Sequence, residues 1–285
     1  MSENLVLSLA FAMVVPRRYW SSIVEKCPVN AKCACDILER LPSDKKIDFA
    51  RNLNGTSNIP WKHILLLSQE YDDPKKWPSK IEAVPGSILG LMQSIKRTIL
   101  PPNRNALISS AILPTRQRTF RPRAFVFPDN VQVDFDEDKV ESFLNRYLAS
   151  PDNEGQNDGT CGGYKPTKYE VEEKTMTRGM LFICGHFQRD ERCGMIAPLL
   201  YQAFLQKLRL RNLDIDVGYV SHIGGHVYAG NVIYFPPTPG ELPVWYGRVL
   251  PEHVDGIIDE TICRGNIIKE LFRGMPEDVQ PQLKD

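Results

Sequence analysis

Four side chains in the second half of the chain have the types and spacing to hold a metal centre. They are Cys184, Cys193, His222 and His226, arranged as C-x8-C, 28 intervening residues, then H-x3-H. Thiolate and imidazole are the donors that bind zinc, copper and iron–sulfur centres. Structural zinc sites pair cysteines at C-x2–4-C and histidines at H-x3–5-H. The histidines here fit that rule and the cysteines do not, because an eight-residue loop separates them. A loop of that width suits a larger group. The run His222-Ile-Gly-Gly-His226 opposes helix, since two adjacent glycines disfavour it. The helical zinc-protease motif also needs a glutamate after its first histidine, and Ile223 stands there. Gly224 and Gly225 are expected to form a turn that lets both imidazoles face one centre. His186 is a rival ligand or a hydrogen-bond partner to the bound group. Arg189 and Arg192 are expected either to offset its negative charge or to lie in a solvated loop beside Asp190 and Glu191.

The elements that must position these groups follow from the pattern around them. Residues 180–184 are a continuous apolar run, the mark of a buried strand ending at Cys184. Residues 194–208 have helical spacing, with Pro198 expected near the first turn. Cys193 would then sit just before a helix N-terminus, whose dipole favours thiolate. Residues 216–222, 231–235 and 244–249 read as strands, and 253–262 and 266–272 as short helical pieces. The order strand, helix, strand, strand, strand, helix is a small α/β unit.

The first half reads similarly. Strands are expected at 61–68, 106–113, 124–127 and 131–135, and helices at 88–100 and 138–148. Residues 63–148 carry one histidine, His63, expected to be structural, and no cysteine. A diverged duplication is consistent with the similar element orders. Residues 150–177 are rich in Asp, Asn, Gly, Glu, Lys and Thr, which is linker composition. The domains are therefore expected as follows: a candidate presequence over 1–30, an α/β unit over 31–149, a linker over 150–177, the ligand-bearing unit over 178–275 and a tail over 276–285.

Seven scattered cysteines and zero formal net charge exclude a secreted disulfide scaffold and a whole-protein field for nucleic acid or membrane. No apolar run reaches the ~18 residues of a membrane span. Residues 1–22 hold two arginines, four serines and one acid, weakly like an organelle presequence. Cys33-Ala34-Cys35 lacks thioredoxin-type C-x-x-C spacing, but its two thiols could form a labile disulfide.

The chain resembles the fungal sucrase/ferredoxin-like family of thioredoxin-like [2Fe-2S] proteins. The resemblance rests on Cys184-Gly-His-Phe-Gln-Arg-Asp-Glu-Arg-Cys193-Gly, on Ser221-His-Ile-Gly-Gly-His-Val-Tyr-Ala-Gly-Asn-Val-Ile233, on Trp245-Tyr-Gly-Arg-Val249, and on Ile267-Ile268 followed by Phe272-Arg273-Gly274. Cys33-Ala-Cys35 with Leu41-Pro42, and the run from His63 to Ser68, match more loosely. The similar element orders lead to an expectation of an α/β fold with two small thioredoxin-like α/β units, and the family implies that the C-terminal one is a thioredoxin-like ferredoxin. It implies a [2Fe-2S] cluster on Cys184, Cys193, His222 and His226, an unidentified redox partner protein and a mitochondrial address, the default otherwise being cytoplasmic. It points to electron transfer or mitochondrial thiol and redox quality control. "Sucrase" implies no sugar chemistry, and no carboxylate pair of a glycosidase is assignable. Two alternatives remain: a zinc-stabilised, non-redox binding module on the same four ligands, and a thiol oxidoreductase working through Cys33 and Cys35.

Overall fold

A computed structural model describes residues 20–29, 35–57, 60–116, 119–149 and 172–274. Cys33, the tail over 276–285 and most of the expected linker lie outside the described residues. Twelve strands are described. β1 (Ser22–Val24) pairs in parallel with β11 (Asn266–Ile268). The other ten form one sheet in the order β12-β10-β9-β7-β8-β3-β2-β4-β5-β6.

That sheet contains the same arrangement twice. In the first half β2 (Lys62–Leu67) and β3 (Ala106–Ile112) are parallel, with α2 (Ile88–Ile99) as the crossover between them. Then β4 (Arg123–Phe127) pairs antiparallel with β2, and β5 (Val131–Asp134) with β4. In the second half β7 (Gly179–Cys184) and β8 (Ile215–Val220) are parallel around α4 (Glu191–Leu210). Next β9 (Val232–Phe235) pairs antiparallel with β7, and β10 (Val244–Tyr246) with β9. Parallel neighbours need a long crossover, and a helix supplies it while covering the sheet. Each half is thus a thioredoxin-like unit: β3-β2-β4-β5 in one, β8-β7-β9-β10 in the other. After the hairpin each adds a helix, α3 (Val140–Leu148) in the first half. In the second, α5 (Val254–Gly256) continues as a π-helical stretch over Ile257–Cys263.

The halves join edge to edge. β3 pairs antiparallel with β8 at Ala111↔Val220 and Ile112↔Tyr219. Ser110 N–H donates to Ser221 Oγ at 3.0 Å, and Ser221 N–H donates to the Ser110 carbonyl at 2.8 Å. Arg116 reaches across to Asp216 at 2.5 Å. The core is continuous over the seam: the rings of Phe127 and Phe235 stack with centroids 3.7 Å apart. His63 is buried there, bonded to Ser109 at 3.1 Å. Burial holds it neutral with a pKa pushed down to about 3.

Several expected elements differ. Helix α4 starts at Glu191 rather than 194, because Asp190 caps it by accepting from the Arg192 N–H at 3.0 Å. Pro198 therefore lies inside the helix and not in its first turn. The stretch expected to be helical over 266–272 instead supplies β11, a 3-10 turn at Lys269–Leu271 and the start of β12 (Phe272–Gly274). Its partners, β1 and β10, are distant in sequence, and tertiary pairing overrides local propensity. Glu172–Thr175, within the expected linker, is strand β6 on the edge of β5. Residues 20–29, within the expected presequence, carry β1 and the buried Cys27. No helix among the described residues is long and apolar enough to cross a membrane.

The seam leaves no room for a side chain at Gly218. A Cβ there would lie 2.5 Å from the Ile112 carbonyl oxygen and 2.7 Å from a Leu113 methyl. Gly218→Ala is expected to destabilise by about 1–3 kcal/mol, the usual cost of overpacking. Because the halves share one core, urea unfolding followed by fluorescence should stay a single transition at a lower midpoint. Two separated transitions would refute that coupling.

Candidate metal centre

The parallel pairing of β7 with β8 brings the first two groups together. Cys184 ends β7 opposite Val220, so His222 leaves β8 at the same end of the sheet. Carboxyl ends of parallel strands are where open α/β sheets place their sites. The next residues descend into the N-terminal turn of α4, where Cys193 is the third helical residue. Cys184 and Cys193 are each 1 % exposed and within hydrogen-bonding reach of one another. His222 also reaches Cys184. The His222 and His226 rings lie 5.6 Å apart, both only half-buried. The four groups are therefore a buried pair of sulfurs faced by a more accessible pair of imidazoles. No three His, Cys, Asp or Glu side chains among the described residues converge on the position of a single metal ion.

The sulfurs are electrostatically unequal. A hydrogen bond from Cys193, then His222, lowers the Cys184 thiol well below its usual value. The same bond and burial raise Cys193. Burial lowers His226, with the neighbouring His222 acting in the same direction. Its Nδ1 is buried and has no hydrogen-bond partner. A buried ring nitrogen left unpaired is costly, and a bound metal would satisfy it. The donor set and the orphaned nitrogen fit a cofactor held by thiolates and neutral imidazoles.

His186 has no nitrogen to spare. Its Nε2 bonds the Pro78 carbonyl at 2.9 Å, and its Nδ1 accepts from the His222 backbone N–H at 3.2 Å. The edge of Trp77 packs on its ring at 5.6 Å. His186 thus orients the backbone of His222. Arg189 is exposed and donates to the Ser79 carbonyl at 3.4 Å. Arg192 is buried, but Asp190 takes its charge in a two-pronged pair at 2.9 Å and 2.9 Å. Burial opposes ionisation of Asp190, and Arg192 outweighs it, so that the carboxyl stays below its usual range. Of the two roles expected for these arginines, the contacts match the second: Arg189 lies in solvent and Arg192 pairs with Asp190.

Gly224 and Gly225 both have positive φ, 83° and 69°. A Cβ on Gly225 would run into the Arg273 guanidinium. The turn is held rather than loose. The Asn231 amide donates to the Gly225 carbonyl at 3.0 Å, and Arg273 Nη1 donates to the Gly224 carbonyl at 3.2 Å and to Asn231 Oδ1 at 2.7 Å.

A strap from the first half, residues 46–57, lies against this loop. Its carbonyls accept from three arginines: Lys46 from Arg192 at 2.7 Å, Asp48 and Arg51 from Arg248, and Thr56 from Arg273 at 2.8 Å. The Asp48 N–H donates back to the Val227 carbonyl at 2.8 Å. Arg248 has a left-handed φ of 57°, rare for so large a residue. The strap, Arg248, Arg273 and Asn231 are the parts of the site that the sequence did not reveal. One signal was present: Asn231, Arg248 and Arg273 each fall within a stretch that carries the family resemblance. Cys35 begins the short helix α1 (Cys35–Glu39), but its side chain, like Cys33, lies outside the described residues.

A family described as sucrase/ferredoxin-like matches residues 53–274. Proteins named Altered inheritance of mitochondria protein 32 match nearly end to end. That of Debaryomyces hansenii is 47% identical over 92% of this chain and 99% of its own length. That of Clavispora lusitaniae is 41% identical over 90% and 97%. The thioredoxin-like [2Fe-2S] ferredoxin of Aquifex aeolicus, solved as a variant, is 24% identical and covers 33% of this chain and 96% of its own, at a TM-score of 0.27. That superposition is too loose to argue from. The family match spans most of the chain, including all four metal-type donors and the arginine behind them, and the chain belongs to the sucrase/ferredoxin-like family.

Proposed function

We propose that the protein is a one-electron redox protein holding a [2Fe-2S] cluster on Cys184, Cys193, His222 and His226. The observation that carries this reading is the arrangement of the donors as two pairs: sulfurs buried side by side, imidazoles half-buried opposite them. A two-iron cluster takes its ligands as two pairs, supplying a centre that accepts and returns one electron. In this reading the buried thiols of Cys184 and Cys193 would hold one iron and the imidazoles of His222 and His226 the other. His186 fixes the His222 backbone, and the Asp190–Arg192 pair fixes the helix turn that carries Cys193. The half-exposed imidazoles form the edge nearest solvent, where an electron-transfer partner would dock. The names of the relatives support a role connected with mitochondria.

Anaerobically purified protein is expected to be red-brown, with about two irons and two acid-labile sulfides per chain. Colourless protein with stoichiometric zinc would instead establish a non-redox binding module. Cys184→Ala should abolish the visible absorption, whereas His186→Gln should keep the cluster. A cluster retained in Cys184→Ala would remove that residue from the ligand set.

Neutral imidazole in place of anionic thiolate raises the potential of such a centre, as Rieske clusters show. His222→Cys and His226→Cys should each keep a cluster while lowering its potential by on the order of 100 mV. Spectroelectrochemical titration reads this directly, and an unchanged potential would exclude the histidine concerned.

A further inference from the structure

Arg273 is a buried cation with no carboxylate beside it among the described residues. Its side chain is 1 % exposed. Its donors go to neutral acceptors: Nε to Thr56 Oγ1 at 3.2 Å, Nη1 to the Gly224 carbonyl at 3.2 Å and to Asn231 Oδ1 at 2.7 Å, and Nη2 to the Thr56 carbonyl at 2.8 Å. The Tyr228 ring lies 5.6 Å from the guanidinium. The two other arginines around the loop each have an acid: Arg192 has Asp190 at 2.9 Å, and Arg248 has Asp48 at 3.9 Å. Burial pushes the Arg273 pKa down to about 10, so it remains charged at neutral pH. The groups whose negative charge works the other way are Cys184, Tyr228 and Cys193. Full hydrogen bonding without a counter-ion is an incomplete arrangement for a buried charge. What it lacks is an anion, and the nearby groups able to supply one are the two candidate ligand thiols.

We propose that Arg273 is the counter-charge of the cluster, a positioning residue that favours the reduced state while holding the His222–His226 turn through Gly224. The inference rests on the [2Fe-2S] reading. With two thiolates, two bridging sulfides and two neutral imidazoles, the diferric centre is neutral overall. One electron from a one-electron reductant makes it an anion, with no bond formed or broken. A fixed buried cation then stabilises the product of reduction more than the starting state, and the low dielectric of its surroundings strengthens the effect. Net charge and nearby hydrogen bonds are among the factors that set the potentials of these centres. Arg192 is unsuited to this role because Asp190 already neutralises it.

The test compares wild type, Arg273→Lys, Arg273→Gln and Thr56→Asp. Iron and sulfide are assayed first, then each protein is titrated with dithionite and mediators under anaerobic conditions. Wild type without iron and sulfide would defeat the cluster reading itself. In a loaded Arg273→Gln, the reduced-to-oxidised ratio at fixed ambient potential should fall at least tenfold, about 59 mV for a one-electron couple. Arg273→Lys should stay within about threefold of wild type. Thr56→Asp leaves Arg273 in place and sets a carboxylate beside it, so it should shift the ratio in the direction of Arg273→Gln. A loaded Arg273→Gln at the wild-type potential overturns the proposal, as do equal shifts in Arg273→Gln and Arg273→Lys. If Arg273→Gln does not load, an unshifted Thr56→Asp overturns it.

Discussion

The site depends on the parallel pairing of six residues of β7 with six of β8. A sheet can place two strand ends side by side, pointing the same way, only if the chain crosses over between them. Here the crossover is α4, whose first turn carries Cys193. One constraint thus fixes three of the four donors: Cys184 where one strand stops, His222 where its neighbour stops, and Cys193 at the start of the helix between them. A slip of one residue in that register would turn every side chain of the strand to the opposite face. The apolar run leading to Cys184 makes such a slip expensive, since Leu181, Phe182 and Ile183 are all fully buried.

The fourth donor, His226, is held by a different kind of force. Its turn has no strand partner, and two residues with positive φ precede it. It is fixed by side-chain amide and guanidinium bonds to its carbonyls, and these lean in turn on the strap. Three arginines with backbone carbonyls as acceptors form a stiff, directional support, because the planar guanidinium presents its donors in fixed geometry. Lysine would carry the same charge without that geometry.

The strands were legible because their apolar runs are long and end sharply. Residues 180–184 and 61–68 differ by one residue at most at each end from the observed β7 and β2. The donors were legible because cysteine and histidine at such spacing are uncommon in a globular chain. The stretch over 266–272 misled because its strands take their identity from partners far away. Of the two readings open for the loop arginines, the described contacts favour pairing and solvent over a charge facing the site. Arg189 and Arg192 are near the cysteines in sequence, yet Arg192 is already neutralised and Arg189 faces solvent. Arg273, eighty residues beyond Cys193, is the one that folding brings to the site. Proximity along the chain brings candidate donors into view but not the charge that folding sets behind them.

The strap and Arg273 have a temporal consequence as well as a spatial one. The strap contributes from residue 46 onward and the guanidinium from residue 273, so the pocket is framed by parts of the chain made early and late. A ribosome delivers the early part first. The four donor side chains all emerge before the cation that completes their surroundings. The finished electrostatic environment therefore requires the chain through residue 273, and any group inserted before that residue joins the fold would enter a site still missing its buried positive charge.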